Sequence, residues 1–315
     1  GLRACGICHS DIHFMDGAWG GDLPAVFGHE GAGIVEAVGP GVKAVKPGDA
    51  VVVGLMRFCG TCFHCSRDET YLCATQFPLD QERRLHSAEG GDLLQGLRTG
   101  AFAEAVVVEQ SQVVPVPGDI PLAGAALLPC GVLTGWGAVT KTARVPAGST
   151  VGVIGVGGVG INSVQAAALQ DCARVVAIDT AADKLALARD FGATDLANPL
   201  QDDVPAIARA ASGGHGLDYV FVTVGNSRAV GDGLALVRRG GSLVLVGMPA
   251  NTDVSEMHAG DLAGDAKHIL GSKMGGTNAQ ADIPHLVDLY QQGRFKLDEL
   301  VSGQYPLAAI NEAVA

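Results

Sequence analysis

The chain is short of basic residues. It has 21 lysines and arginines against 33 aspartates and glutamates, so its formal net charge is −12 at pH 7 and its pI is near 5.1. Binding to a polyphosphate such as DNA depends on clustered Lys and Arg that release counterions. We therefore expect no nucleic-acid partner, and the charge disfavours a zinc-ribbon reader of nucleic acids.

The sequence also lacks an unbroken apolar run that could cross a bilayer. Two windows, Pro121–Thr140 and Val151–Gln170, carry no charge over about the length of a membrane helix. Pro129 and several glycines interrupt the first window, and a run of glycines beginning at Gly155 interrupts the second. No secretory signal, internal repeat, low-complexity tract or charged tail is visible. The sequence predicts a soluble, cytoplasmic protein with no membrane partner.

The length and the pattern of the 315 residues predict two domains. From Gly28 to about Pro117, short β-branched runs alternate with glycine and proline turns, which predicts a β-rich domain. Examples of these runs are Gly33–Val38, Ala50–Val53 and Phe102–Val108.

From Thr150 onward, strands, glycine turns and helices alternate, with the first two strands expected at Thr150–Ile154 and Arg174–Ile178. This alternation predicts a parallel sheet covered on both faces. We expect an α/β fold in which residues 1–119 and 277–315 form the β-rich domain and residues 120–276 form the doubly wound domain.

Four cysteines at short spacing predict a closed structural zinc site. Cys59, Cys62 and Cys65 are separated by two residues each, and Cys73 follows after seven more. Tetrahedral zinc needs four soft donors at one point, and Cys-x-x-Cys turns supply them locally. Two disulfides are the alternative, but the chain shows no sign of export to an oxidising compartment. We call residues 59–73 the four-cysteine lobe.

A glycine-rich turn after an apolar strand predicts a dinucleotide site. Residues 155–160 read Gly-Val-Gly-Gly-Val-Gly, in which Gly155 permits a tight turn, Gly157 admits a pyrophosphate and Gly160 lets the helix pack on the strand. Asp179 closes the next strand, where its carboxylate can bind ribose hydroxyls and repel a 2′-phosphate. This favours NAD over NADP, although Asp179 could instead cap the following helix, and Lys184 in that helix is either a ribose contact or a surface lysine.

A second set of metal-capable residues is scattered along the chain. Cys8 begins a Cys-His-Ser-Asp-Ile-His run, His29 lies in Gly-His-Glu, and Cys130 lies between Pro129 and a glycine. Two thiolates and an imidazole with one open position are the ligand pattern of a catalytic zinc. Spacing alone does not group these residues, so the residue chemistry leaves buried structural cysteines and histidine as an alternative.

Five segments together resemble the zinc-dependent alcohol dehydrogenases of the medium-chain dehydrogenase/reductase (MDR) family. They are Gly6–His13, Gly28–Gly39, the four-cysteine lobe, Cys130–Gly135 and Gly155–Gly160. The resemblance runs from end to end and implies a GroES-like catalytic domain and a Rossmann coenzyme domain. It also implies that family members begin earlier and continue past Ala315, so we expect the chain to be trimmed at both ends.

The resemblance assigns roles around the catalytic zinc. It implies that Cys8, His29 and Cys130 ligate the metal and that Glu30 is a carboxylate that can approach it during ligand exchange. Asp11 would accept the second ring proton of His29 and so fix its tautomer.

The resemblance also assigns a proton relay and the coenzyme contacts. Ser10 would bond the substrate hydroxyl and pass its proton through the nicotinamide ribose to His13, while His9 would meet the pyrophosphate where many relatives carry arginine. The residues implied to hold the nicotinamide are Thr134, Val159, Val246, Met248 and Met274.

The implied activity is NAD-dependent hydride transfer from a primary or secondary alcohol, with two zinc ions per chain. Trp19 and Leu55 fall where relatives line the substrate pocket, though Trp19 could equally be core. Arg83 and Arg84 could meet an anionic substrate, or could be a solvated pair.

Other functions stay open on the same sequence. One is dehydrogenation of a polyol or of a thiol adduct of formaldehyde, and a non-enzymatic one is an NAD(H)-binding redox sensor. The resemblance further implies a homodimer or homotetramer that pairs through the strand near Ile269–Met274.

Overall fold

Thirteen strands and ten α-helices build the chain in the computed structural model, which describes residues 1–314. The strands are β1 (Leu2–Gly6), β2 (Ala25–Val26), β3 (Glu30–Ile34), β4 (Ala50–Val53), β5 (Leu85–His86), β6 (Asp92–Gln95), β7 (Val113–Pro115), β8 (Thr150–Ile154), β9 (Arg174–Ile178), β10 (Asp195–Ala197), β11 (Leu217–Val222), β12 (Val237–Leu245) and β13 (His268–Gly271). The helices are α1 (His9–Met15), α2 (Leu122–Ala125), α3 (Leu133–Gly137), α4 (Gly160–Leu169), α5 (Ala182–Asp190), α6 (Val204–Ala211), α7 (Ser227–Leu236), α8 (Ala259–Gly264), α9 (Ala279–Gln291) and α10 (Ile310–Val314).

The chain divides into two units, one of residues 1–131 and 278–315 and one of residues 132–277. The first division lies twelve residues after the predicted one at 119 and 120. Its physical reason is that α2 packs against β1 and β3, so the segment after Pro121 stays with the β-rich unit. The return point, between Thr277 and Asn278, is one residue from the predicted position.

The first unit is built mainly on antiparallel pairing, and only β2 and β6 pair in parallel among its described strands. Strands β1, β3, β4 and β7 form one sheet in that order, and β2, β6 and β5 form a smaller one. The consecutive valines of β4, Val51–Val53, are buried, as expected for β-branched residues in a central strand.

Two of the runs expected as strands in the first unit differ from the structure: β3 ends at Ile34 rather than reaching Val38, and residues 102–108 form no strand. Residues 102–108 form bends and coil rather than the predicted strand. Ala101 and Phe102 donate their N–H groups to Gly28 and Phe27, whereas Glu104 accepts from Leu2, so bonding partners change along the segment and no continuous ladder forms.

The second unit is the predicted doubly wound fold. Its six parallel strands have the order β10-β9-β8-β11-β12-β13, and the order reverses between β8 and β11. In such sheets ligands bind at the carboxyl ends of the strands beside this switch point. Strands β8 and β9 have the bounds that the sequence predicts, and the α/β fold class is confirmed.

Among the described residues, every helix is too short or too polar to reach across a bilayer. The two charge-free windows are divided between short elements: the first contains α2 and α3, and the second contains β8 and α4.

Candidate active site

Four donor residues from three distant segments meet inside the first unit. Cys8 is the N-cap of α1, His29 and Glu30 lie at the start of β3, and Cys130 lies in a helical segment, Leu128–Val132. One ligand atom from each of the four lies within 4.8 Å of every other. His29, Glu30 and Cys130 are buried and Cys8 is half-buried. The structure thus brings together residues that sequence spacing could not group.

The distances within this cluster fit a tetrahedral zinc. The sulfurs of Cys8 and Cys130 lie 4.0 Å apart, and Nε2 of His29 lies 3.3 Å from the Cys130 sulfur. Zinc–sulfur bonds of about 2.3 Å at tetrahedral angles place two sulfurs about 3.8 Å apart. The donor set is therefore close to ligand geometry without rearrangement.

Asp11 orients the histidine from behind. This carboxylate is fully buried, and its Oδ1 lies 3.1 Å from Nδ1 of His29 and accepts a hydrogen bond from the Gly28 N–H at 2.9 Å. Its Oδ2 accepts from the Cys8 N–H at 3.3 Å. The contact with Asp11 favours a proton on Nδ1 of His29, and it leaves Nε2 directed at the sulfurs. One side chain therefore ties together two of the donor segments.

Glu30 is held beside the donors by backbone. Its Oε1 accepts from the Gly131 N–H at 3.0 Å, next in sequence to Cys130. A Cβ at Gly6 would collide with Oε2 of Glu30, so glycine is needed there to make room for the carboxylate. Burial raises the pKa of Glu30 to about 8.

Protons are shared unevenly among the other donors. A hydrogen bond from the Cys130 thiol, aided by His29, lowers the pKa of Cys8 to about 3, and the neighbouring Cys8 raises the pKa of Cys130 well above its usual range. Burial disfavours the charged form of His29, but its hydrogen bonds to Asp11 and Cys8 outweigh this and raise its pKa to about 10. Binding a divalent cation here must therefore release protons, because zinc ligands are deprotonated.

Helix α1 carries the implied relay residues. Ser10 Oγ lies 3.6 Å from the Cys8 sulfur. His13 lies one turn further, and its ring centroid is 4.6 Å from that of His9 and 4.8 Å from that of Trp19. Burial, together with the charge of His9, lowers the pKa of His13. The structure thus places Ser10 beside the donors and gathers His9, His13 and Trp19 on the same short helix and the loop that follows it.

The four-cysteine lobe forms a second donor cluster in the same unit. Its four sulfurs lie within 4.8 Å of one another, with 3.9 Å between Cys59 and Cys65 and 3.9 Å between Cys62 and Cys73. The Cys62 N–H donates to the Cys59 sulfur, as in a metal-binding turn. All eight cysteines of the chain are free thiols in the structure, so the alternative of two disulfides is not seen.

Leu55, the other implied pocket residue, is half-buried just after β4. Two residues on, Arg57 forms a bidentate ion pair with Asp80, with N–O distances of 2.6 and 2.8 Å, and its guanidinium lies 4.8 Å from the Phe77 ring centroid. The Arg57 side chain is only 3% exposed. This pair fixes residues 77–80 against the segment that connects Leu55 to the four-cysteine lobe.

The two arginines after Cys73 differ in their surroundings. Arg84 is occupied by Gln95, the Val107 carbonyl and Glu82. Arg83 is exposed. The structure thus leaves Arg83 as the member of the pair with an accessible charge.

In the second unit, the glycine-rich turn follows β8 and opens α4 at the switch point. Gly155 has a positive φ of 85°, and a Cβ at Gly160 would collide with the Gly155 carbonyl. Asp179 follows β9, where its Oδ2 accepts from the Val156 N–H at 2.9 Å and its Oδ1 from the Ala181 N–H at 3.0 Å. The carboxylate thus joins the glycine turn to the start of α5, which includes the capping contact considered as its alternative role.

The other implied coenzyme residues are spread over several elements of the second unit. Thr134 Oγ1 lies 3.7 Å from the Met274 sulfur. Val246 is buried after β12, whereas Met248 is 61% exposed. Val159 is the N-cap of α4, and Lys184 is exposed on α5. Thr134 and Met274 are brought together, while Lys184 has no described bond to the turn.

Sequence reasoning missed several side chains that shape these sites. Asn162 and Gln165 form a buried amide pair in α4, and Arg57 is buried with Asp80. A polar residue at a position where the helix pattern requires an apolar one is a signal that could have identified Asn162 and Gln165.

Comparisons with known proteins agree with this geometry. Residues 1–118 match the model of the alcohol dehydrogenase GroES-like domain, and residues 158–292 match that of the zinc-binding dehydrogenases. An NDMA-dependent alcohol dehydrogenase of Amycolatopsis methanolica is 39% identical over 98% of this chain and 85% of its own length. A probable S-(hydroxymethyl)glutathione dehydrogenase of Schizosaccharomyces pombe is 36% identical over 98% and 83%.

A solved structure is similar over the same range. The benzyl alcohol dehydrogenase of Acinetobacter calcoaceticus has a TM-score of 0.91 and 30% identity, with 99% of this chain and 86% of that chain covered. Family models, sequence relatives and structure agree over nearly the whole chain. The chain therefore belongs to the zinc-binding alcohol dehydrogenases of the MDR family, and it is an oxidoreductase whose substrates are alcohols or the corresponding aldehydes or ketones.

Proposed function

We propose that the chain catalyses hydride transfer between a primary or secondary alcohol and NAD, with a catalytic zinc at Cys8, His29 and Cys130 and a structural zinc in the four-cysteine lobe. The observation that carries the proposal is the buried convergence of two sulfurs and an imidazole whose second nitrogen is held by Asp11. Three protein donors leave the fourth tetrahedral position to a substrate oxygen, whereas four sulfurs fill all positions. This difference assigns the chemistry to the first cluster.

A bound zinc ion would supply Lewis-acid stabilisation of the substrate oxygen. Ser10, 3.6 Å from the Cys8 sulfur, would receive the hydroxyl proton, and His13 would be the outer base. Burial favours the neutral imidazole of His13, which is the form that accepts a proton. Asp11 would hold the proton of His29 on Nδ1, so that the Nε2 lone pair of the neutral ring is directed at the metal, and Glu30 would stand next to the donors as an exchangeable carboxylate.

NAD is proposed over NADP on the placement of Asp179. Its two oxygens accept one backbone N–H each, and a carboxylate has further acceptor sites for ribose hydroxyls. A 2′-phosphate at the same place would meet a negative charge held fixed by those two bonds.

Two variants of the reaction are candidates because relatives of this chain are named for them. One is oxidation of S-(hydroxymethyl)glutathione, a thiol adduct, for which the exposed Arg83 offers a cation. The other is turnover with NDMA as the electron acceptor, named for the relative of 39% identity. A polyol substrate is the remaining alternative, and a non-catalytic redox sensor is disfavoured because the relatives are named as enzymes.

The test is a substrate panel with zinc-loaded protein. We expect the absorbance of the reduced coenzyme to rise with primary or secondary alcohols and NAD, where NADH forms, and to rise far less with NADP, where NADPH would form. S-(hydroxymethyl)glutathione with NAD, and an alcohol with NDMA and no added NAD, identify the two variants. If none of these mixtures turns over, the proposed function is wrong.

A homodimer or homotetramer is proposed through β13. This strand pairs with β12 on one side and ends the six-strand sheet, so its other edge can pair with a second copy. Light scattering tests the assembly. A cytoplasmic location stays a prediction from the sequence.

A further inference from the structure

The first turn of α4 departs from regular helix geometry. The N–H groups of Asn162 and Ser163 both donate to the Val159 carbonyl, at 3.1 Å each. A regular α-helix would direct the Asn162 N–H to the carbonyl four residues earlier, that of Gly158. Instead, the side-chain amide of Asn162 donates to the Gly158 carbonyl at 2.7 Å. The Asn162 side chain thus gives the Gly158 carbonyl the hydrogen bond that a backbone N–H gives elsewhere in the helix.

The direction of this amide is set by a second one. Gln165 Nε2 donates to Oδ1 of Asn162 at 2.7 Å, so the NH₂ group of Asn162 faces Gly158. Asn162 is 1% exposed and Gln165 is 5% exposed. Buried amides are costly unless both ends are bonded, and both ends of Asn162 are bonded here. The pair therefore forms a fixed unit beneath the glycine turn.

Holding the Gly158 carbonyl in place also sets the direction of the Val159 N–H. The peptide between Gly158 and Val159 is planar, and in a trans peptide its C=O and N–H groups point in opposite directions. Because Asn162 holds the carbonyl against α4, the Val159 N–H is directed away from the helix body. Free N–H groups at a helix start, together with the positive end of the helix, attract a phosphate.

The glycines of the turn differ in the space around them. A Cβ at Gly155 or Gly160 would collide with protein atoms, whereas a Cβ at Gly157 or Gly158 would meet nothing within 4 Å. Gly155 and Gly160 are needed for packing. The open surface lies around the peptide that Asn162 holds.

We propose that Asn162, oriented by Gln165, is a positioning residue for the coenzyme: it holds the Gly158–Val159 peptide so that the Val159 N–H faces the pyrophosphate. This inference rests on the proposed use of NAD. It assigns to a buried helix residue, outside the glycine motif, a share of the pyrophosphate affinity.

The test is calorimetric binding of ADP-ribose and NADH to Asn162→Ala and Asn162→Asp, without any turnover. Each variant should weaken both ligands about tenfold or more, because a directed N–H bond to a charged oxygen is lost. Ser149→Ala is the matched control: Ser149 is buried in the same unit, at the opposite end of β8, and its hydroxyl donates to the Pro146 carbonyl at 2.8 Å. It should lower the melting temperature comparably and leave both affinities unchanged.

Adenosine, followed by ligand-observed NMR, separates positioning from general loosening. It carries no phosphate, so its affinity should be equal in wild type and Asn162→Ala. If the Asn162 variants bind ADP-ribose as wild type does, or lose adenosine binding to the same degree, the inference is overturned.

Two further results distinguish a failure of this inference from a failure of the proposed function. If wild type binds neither NADH nor ADP-ribose, the proposed coenzyme is wrong. If the Asn162 variants do not fold, Gln165→Met is the second variant, since it leaves Asn162 in place but frees its orientation. It should weaken ADP-ribose by a smaller factor, and unchanged affinity would count against the inference.

Discussion

The two donor clusters of the first unit both bring cysteine sulfurs together, but one is built from residues close in sequence and the other from distant segments. The four-cysteine lobe draws its ligands from residues 59–73, in short turns that are mostly exposed or half-buried. The other cluster joins Cys8 and Cys130, which are 122 positions apart, and buries His29 completely. In the lobe a bound metal would hold the chain in place, whereas in the buried cluster the fold itself holds the donors where we propose that a metal binds.

Supporting contacts explain this difference. Asp11 and the Gly131 N–H hold the buried donors in place through hydrogen bonds that do not involve a metal. The bonds within the lobe, such as those from the Cys62 N–H and between His64 and Glu69, join residues that are close in sequence and do not tie the cysteines to a buried frame. Loss of zinc should therefore abolish chemistry in one cluster and lower stability in the other.

The largest expected effect is on turnover. Cys8→Ser removes one soft donor from the proposed set of three zinc ligands, so we expect alcohol oxidation to fall below detection while the melting temperature changes little. Steady-state kinetics and thermal melting measure the two effects. Cys172→Ser, a half-buried thiol in the second unit, is the control and should keep wild-type activity. Activity near that of wild type in Cys8→Ser would refute its role as a ligand.

Cys62→Ser should produce the opposite pattern. A structural zinc contributes folding free energy directly, so we expect a loss of about 3 kcal/mol or more and a fall in melting temperature of roughly 6 °C or more. Differential scanning calorimetry at fixed protein and zinc concentration measures this. Melting that matches Cys172→Ser would show that the lobe does not depend on metal.

An intermediate effect is expected from Asp11→Asn. The amide keeps the shape of the carboxylate and can still accept from the Gly28 N–H, but it no longer carries the charge that fixes the His29 tautomer. Loss of such a supporting carboxylate costs about 10–100-fold in metal affinity or activity. Zinc retention against a chelator measures it. Retention equal to that of wild type would mean that the His29 orientation does not need Asp11.

The smallest expected effect concerns Asp80, whose loss leaves Arg57 buried without its anion. Asp80 is about a quarter exposed, so we expect Asp80→Asn to cost about 1–3 kcal/mol rather than the full value of a buried pair. Hydrogen bonds from Arg57 and the Phe77 N–H overcome burial and hold the pKa of Asp80 below its usual range.

A lowered carboxyl pKa stabilises the fold above the unfolded value of about 3.9, and this contribution is lost as pH falls through the folded value. The difference between wild type and Asp80→Asn in urea unfolding should therefore be constant from pH 5 to 8 and shrink only in more acidic solution. A difference that disappears already near pH 6 would contradict the assignment to this carboxylate.

The sequence predicted local features well and distant ones poorly. Strands β8 and β9 and the four-cysteine lobe could be placed because glycine punctuation and short cysteine spacing are local signals. The grouping of Cys8, His29 and Cys130 has no local signal, because it depends on the pairing of β1 with β3 and on the position of the segment after α2. Only the family resemblance anticipated that grouping.

Errors and omissions have similar causes. Residues 102–108 have strand composition, but their hydrogen-bond partners change from one segment to another. Asn162 lies outside the glycine motif, which ends at Gly160, and its proposed role depends on which carbonyl its amide faces, which no sequence pattern shows. From its sequence alone Arg57 would be expected at the surface, whereas in the structure it is buried and paired with Asp80.

The central claim is that the buried cluster is a zinc site distinct from the lobe. Metal analysis of the purified chain and of its Cys8→Ser variant tests this claim most directly. The two clusters predict two zinc ions per chain in wild type, and one in Cys8→Ser with the lobe still loaded. A wild-type chain that holds a single zinc, or a Cys8→Ser chain that keeps the wild-type content, would contradict the account.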